Sequence, residues 1–96
     1  MNAEQLLREY AAGERDFPNY LIKDSRKGLL KGVDLSGIDL SNSVLKFDLS
    51  GAIVRNAHFR NAVWDYVSWE DIDFSDSDFT RFKNAIGHSL HSLQFQ

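Results

Sequence analysis

The residues of this chain that could do chemistry are its carboxylates and its histidines. Asp39, His58 and Asp78 stand 19 and then 20 residues apart. On a chain that returned to the same place at that interval, an imidazole would sit between two carboxylates, with neighbours ~4.8 Å apart at strand spacing. Such a column could favour a proton on the imidazole or bind a metal weakly. The plainer reading is a surface charge ladder, because no fourth ligand or enclosing cleft is evident. His88 and His91, three apart, are compatible with ligation, but a lone pair of histidines more often faces solvent. Glu70, Asp71, Asp73, Asp76 and Asp78 put five acids within nine residues. No nucleophile stands with a base, no glycine loop is shaped for phosphate, and no metal ligands cluster. The expectation is therefore a chain with no catalytic, cofactor-binding or metal-binding residues, and not an enzyme.

What must position these groups is the stretch from Val33 to Arg81, written in fives as VDLSG, IDLSN, SVLK, FDLSG, AIVRN, AHFRN, AVWDY, VSWED, IDFSD and SDFTR. One unit is a residue short. The third residue of each unit is large and apolar: Leu35, Leu40, Leu45, Leu49, Val54, Phe59, Trp64, Trp69, Phe74 and Phe79. A helix cannot bury that set, since five residues at 100° move each successive centre about 140° around the axis. A flat strand sends alternate centres to opposite faces, because its period is two. Within a unit, though, the centre and the residue two before it share a side, and the rest can turn the chain. Units four apart should then stack, with Leu35, Val54 and Phe74 in one inward column and Leu40, Phe59 and Phe79 in another. Trp64 falls over Leu45, and Trp69 over Leu49.

The last residue of each early unit is Gly37, Asn42, Gly51, Asn56 or Asn61, the types that best tolerate the positive φ of a type II turn. Later the slot holds Tyr66, Asp71, Asp76 and Arg81, and a type I or open turn is expected there.

These units resemble pentapeptide repeats, whose pattern is A(D/N)LXX; VDLSG, IDLSN, FDLSG, AHFRN, IDFSD and SDFTR carry the resemblance over about half of the chain. The opening LLREYAAGERDF is similar to the LLxxYxxGxRDF lead-in of cyanobacterial members. The resemblance implies an all-β fold, a right-handed quadrilateral parallel β-helix in which four five-residue faces make one coil. Departures are the residue missing near Lys46, few alanines at the small position, and tryptophans at two centres.

Around the array the chain divides into a helical cap at 1–14, a degenerate first coil with a loop at 15–32, the array at 33–81 and a C-terminal cap or tail at 82–96. Asn2 is the N-cap candidate of the first helix, with Gln5 three later and Gly13 after its end. Its stripe is Leu6, Leu7, Tyr10 and Ala11, suited to covering the open first coil. Arg15-Asp16-Phe17, Tyr20-Leu21-Ile22 and Gly28-Leu29-Leu30 read as poor units, interrupted by a polar loop at 23–27. In the tail, Phe82, Ile86, Leu90 and Leu93 follow helical spacing.

At 96 residues with a net charge of −3 and a pI near 5.5, the chain is one domain without a basic surface for phosphate, so direct nucleic-acid binding is not expected. The absence of cysteine excludes disulfides and thiolate chemistry. No stretch approaches the ~18 apolar residues of a membrane span, so no membrane insertion is expected and a cytoplasmic location is. The informative exception on the surface is apolar: Val44, Val63 and Tyr66 point outward, beside Lys46 and Asp65. This face is expected to pack on a partner, on another copy of the chain or under the C-terminal tail, and with Asp71 and Asp76 these are the candidate partner-binding residues. The expected function is a non-enzymatic protein-protein interaction or scaffold module with an unidentified protein partner. The alternatives are inhibition of a type II topoisomerase by DNA mimicry, which the family resemblance and the acidic end suggest, and an oligomeric assembly factor that dimerises through its C-terminal end.

Overall fold

The computed structural model describes residues 1–24, 28–65 and 70–84. Its first element is set by Asn2, whose side-chain oxygen accepts the Gln5 N–H at 2.8 Å and so satisfies one of the orphan donors at a helix start. Helix α1 runs Ala3–Ala11. It buries Ala3 and Leu6 and rests Leu7 and Tyr10 on the core. The Tyr10 hydroxyl donates to the Ser36 carbonyl at 2.7 Å, and the Arg15 guanidinium lies 3.6 Å from the centre of the same ring. The segment before the helix also closes an edge. Asn2 bridges Lys23 in parallel, and the Met1 carbonyl accepts the Lys23 N–H at 3.3 Å.

Four short strands follow: β1 Leu21–Lys23, β2 Val44–Lys46, β3 Val63–Trp64 and β4 Lys83–Asn84. They form one parallel sheet in sequence order, with Leu21 beside Val44, Val44 beside Val63 and Val63 beside Lys83. Between strands the chain returns to itself through single bridges, Asp34 to Ile53 to Asp73, and Asp16 to Asp39 to His58 to Asp78.

The expected all-β right-handed quadrilateral parallel β-helix is therefore corrected. The architecture is mixed, one helix with one open four-stranded parallel sheet, and other contacts between successive passes are isolated bridges rather than sheets. The reason lies in the second residue of each unit. Where it is aspartate, the carboxylate accepts the N–H two residues on: Asp34 from Ser36, Asp39 from Ser41, Asp48 from Ser50, Asp73 from Ser75 and Asp78 from Thr80. This turn-forming bond bends the chain directly after the pairing position. Strands grow to two or three residues only in the column of Leu21, Val44, Val63 and Lys83, which contains no aspartate.

The later corners also differ from expectation. Asp71, Asp76 and Arg81 have φ of 59°, 60° and 58°, the same left-handed conformation as Asn42, Asn56 and Asn61. Stacking decides it. Corner N–H groups donate to carbonyls of the following pass: Gly51 to Glu70, Asn56 to Ser75 and Asn61 to Thr80. A corner keeps that register by repeating the conformation of the one beneath it; aspartate tolerates that conformation as asparagine does, and only at Arg81 does tertiary pairing override residue preference.

The core is the interior of these passes. Leu35, Val54 and Phe74, Leu40 and Phe59, and Leu45 and Trp64 are buried, while Phe79 is half-buried. Each fully buried centre contributes ~1.5 to 3 kcal/mol before entropy is set against it. Phe59 is the hub of an aromatic cluster, stacked on Phe79 at 4.9 Å and on Trp64 at 5.8 Å and meeting Phe74 edge-on at 6.1 Å. Ser43 is the buried polar exception. Its hydroxyl donates to the Phe17 carbonyl at 2.9 Å and accepts the Tyr20 N–H at 3.1 Å. Ser77 does the same for the Val54 carbonyl and the Ala57 N–H. Elsewhere this turn closes directly, as from Ile38 N–H to the Leu35 carbonyl.

Two expectations are corrected at their first residues: Lys23, assigned to the loop, pairs in β1, and Phe82, assigned to a helical stripe, is a buried core residue leading into β4. The expectations for the loop at 25–27, for Tyr66 and Trp69, for His88 and His91, and for a helix or dimer contact beyond Asn84 lie outside the described residues.

Candidate protein-binding surface

Among the described residues the exposed large apolar side chains are Tyr20 and Leu21, at the sheet, and Ile53, which stands between Asp34 and Asp73 on another face. Strand alternation turns Ile22, Leu45 and Trp64 inward, so Leu21, Val44 and Val63 face out as one column of adjacent registered residues. Leu21 is 46 % exposed, while Val44 and Val63 are half-buried. Tyr20, before Leu21, is 43 % exposed. The second outward column holds Lys23 beside Lys46, and Lys46 Nζ lies 3.3 Å from Asp65 Oδ2. The apolar column ends at Lys83, which is exposed. At that end Asn61, Val63, Arg81, Phe82 and Lys83 line an open cavity of about 430 Å³.

Of the residues the sequence singles out, Val44 and Val63 are brought into direct register. Asp71 and Asp76 are not with them: both are exposed corner residues, each on a different corner column, one beside the Gly51 pass and the other beside the Asn56 pass. Sequence reasoning missed Leu21, Tyr20 and the pair Arg81 and Lys83. For Leu21 a signal existed: once residues 24–27 are skipped, Leu21 stands 19 residues before Val44, the same interval as from Val44 to Val63.

The acidic ladders are engaged. Asp39, His58 and Asp78 do align in successive bridges, but the Asp39 and Asp78 carboxylates hold the turns at Ser41 and Thr80, and Arg60 lies 3.4 Å from Asp78. Asp73 accepts from the Ser75 hydroxyl and N–H and from Arg55 Nε at 2.6 Å. These bonds, the Ser75 hydroxyl first, hold its carboxyl down at about 2. Asp78 is lowered in the same way by Thr80 and then Arg60, and Asp34 by Ser36. Burial pushes Asp48 up, but the Ser50 hydroxyl and N–H together with Lys31 outweigh it. Among the described residues no group of three or more histidine, aspartate or glutamate side chains is placed to hold a metal ion.

Among the described residues, no helix is long and apolar enough to cross a membrane. Compared with known proteins, the chain matches no family model and no curated protein sequence.

Proposed function

We propose that this chain is a non-enzymatic protein-interaction module that docks its partner on the outer face of β1 to β4. The observation that carries the reading is the registered column of Leu21, Val44 and Val63 on the solvent side of a parallel sheet. Parallel sheets ordinarily have both faces covered, and apolar side chains in contiguous outward positions mark contact surfaces. The interior, filled by packed aliphatic and aromatic side chains, supports a scaffold role over a substrate-binding one. Kinship with pentapeptide repeat proteins belongs to the same proposal and rests on the units themselves. So does a cytoplasmic setting, which rests on a sequence without cysteine. The acids of the ladders are occupied in turns and ion pairs, which favours the apolar face over the acidic faces as the docking surface.

The test is affinity capture from the native cell with the wild-type chain and with Val44→Ser, Val63→Ser together. The expected result is a protein captured by the first and lost from the second, with both chains equally folded by circular dichroism. Equal capture by both would refute the assignment of the face.

A further inference from the structure

We propose that the cavity at the β3 and β4 end of this face binds the C-terminal residue of a partner polypeptide, one whose side chain is apolar and whose α-carboxylate is free. The inference rests on the docking face proposed above and names the part of the partner it takes.

Two chemistries meet in the cavity. Val63 gives it an apolar wall, with a small exposed part of Phe82, whose ring is otherwise packed in the core on Phe59, Trp64 and Phe79, and Asn61, Arg81 and Lys83 give it hydrogen-bond donors and positive charge. Among the described residues Arg81 and Lys83 form no ion pair with a carboxylate, as is also true of Arg8 and Lys23, whereas Lys31, Lys46, Arg55 and Arg60 each pair with an aspartate. The complementary ligand is an anion attached directly to an apolar body. In a polypeptide, a carboxylate and an apolar side chain share one Cα atom only at an apolar C-terminal residue. A volume of about 430 Å³ lies within the ~300 to 1,000 Å³ of ordinary small-ligand clefts.

The column leading to the cavity has the matching geometry. From Leu21 to Lys83 it crosses three strand spacings, ~14 Å at ~4.8 Å each. In an extended peptide, side chains on one side repeat every ~6.7 Å. A terminal side chain against Val63 and Phe82 therefore puts the side chain two residues earlier over Val44 and Leu21.

The test is fluorescence polarisation with the full chain and a fluorescein-labelled peptide Ser-Ser-Leu-Ser-Leu, made once with a free C-terminal carboxylate and once as the C-terminal amide. The expected result is saturable binding of the acid, at least tenfold weaker binding of the amide, and weakening of the acid complex as salt is raised. Arg81→Gly and Lys83→Gln should each weaken the acid at least tenfold and leave the amide unchanged, with cooperative thermal melts retained. Equal binding of acid and amide would overturn the carboxylate assignment while leaving the apolar face intact as a docking surface. Binding of neither peptide would overturn the inference as a whole, and the fate of the docking face would then be decided separately by the capture experiment with the serine variants.

Discussion

Replacing Ser43 by alanine removes one oxygen atom from a position that is 1 % exposed, and the structure says what that oxygen does. It stands between the Phe17 carbonyl at 2.9 Å and the Tyr20 N–H at 3.1 Å, two backbone groups that elsewhere bond directly, as from Ala62 N–H to the Phe59 carbonyl at 3.0 Å. In Ser43→Ala both lose their partner. At ~0.5 to 1.5 kcal/mol of net stabilisation per hydrogen bond, the loss is about 1 to 3 kcal/mol. For a domain of this size 1 kcal/mol corresponds to ~4 to 8 °C in Tm, so a loss of about 2 kcal/mol lowers Tm by ~8 to 16 °C. Urea unfolding followed by tryptophan fluorescence, to which buried Trp64 contributes together with Trp69, measures the first figure and a circular dichroism melt the second. Ser77→Ala is the internal comparison: its hydroxyl makes the same pair of bonds from a half-buried position, where water can substitute, so its loss should be smaller. If Ser43→Ala unfolds within ~0.3 kcal/mol of wild type, the turn closes on itself without the hydroxyl and the reasoning fails.

Phe59→Ala, at a position with no exposure and at the centre of the ring cluster, should cost ~3 to 5 kcal/mol, and a urea-derived loss below ~2 kcal/mol would contradict the packing described. Arg81→Gly removes a left-handed strain of ~1 to 2 kcal/mol against a glycine entropy cost of ~0.5 to 1 kcal/mol; Tm should rise, and a fall would show that the corner is not strained. Because the Asp73 carboxyl is held at about 2 rather than 3.8, and Asp34, Asp48 and Asp78 are also lowered, their stabilisation is full above the unfolded value and is lost as pH falls through the folded ones. Tm should therefore drop most steeply between pH ~4 and ~2, and less steeply in Asp73→Asn; identical profiles for the two chains would count against the bonds to Ser75 and Arg55.

The period of five and the inward set could be read from the chain because burial is a one-dimensional pattern. Leu35, Leu40, Leu45, Leu49, Val54, Phe59, Trp64 and Phe74 are all buried. The alignment of Asp39, His58 and Asp78 followed from the same count, as did Val44 beside Val63. Leu21 escaped because an interruption in the chain hid its register with Val44. The role of the aspartates escaped too: in sequence they look like a charged surface, and in space five of them are turn formers bonded two residues ahead.

What the sequence determined by itself is which side chains go inside and how often the chain must turn, since both follow from residue type and spacing. The tertiary structure alone decided the rest. Whether a pairing position extends into a strand or bends after one residue depends on the whole column beside it, which is why the fold is a helix with one parallel sheet rather than a uniform all-β winding. The left-handed conformation of Arg81 follows the hydrogen bonds between passes about twenty residues apart and not local preference, which favours it only for glycine, asparagine and aspartate. The juxtaposition of Val63 and Phe82 with Arg81 and Lys83 exists only once β3 and β4 are in register, because a cavity is a property of neighbours in space.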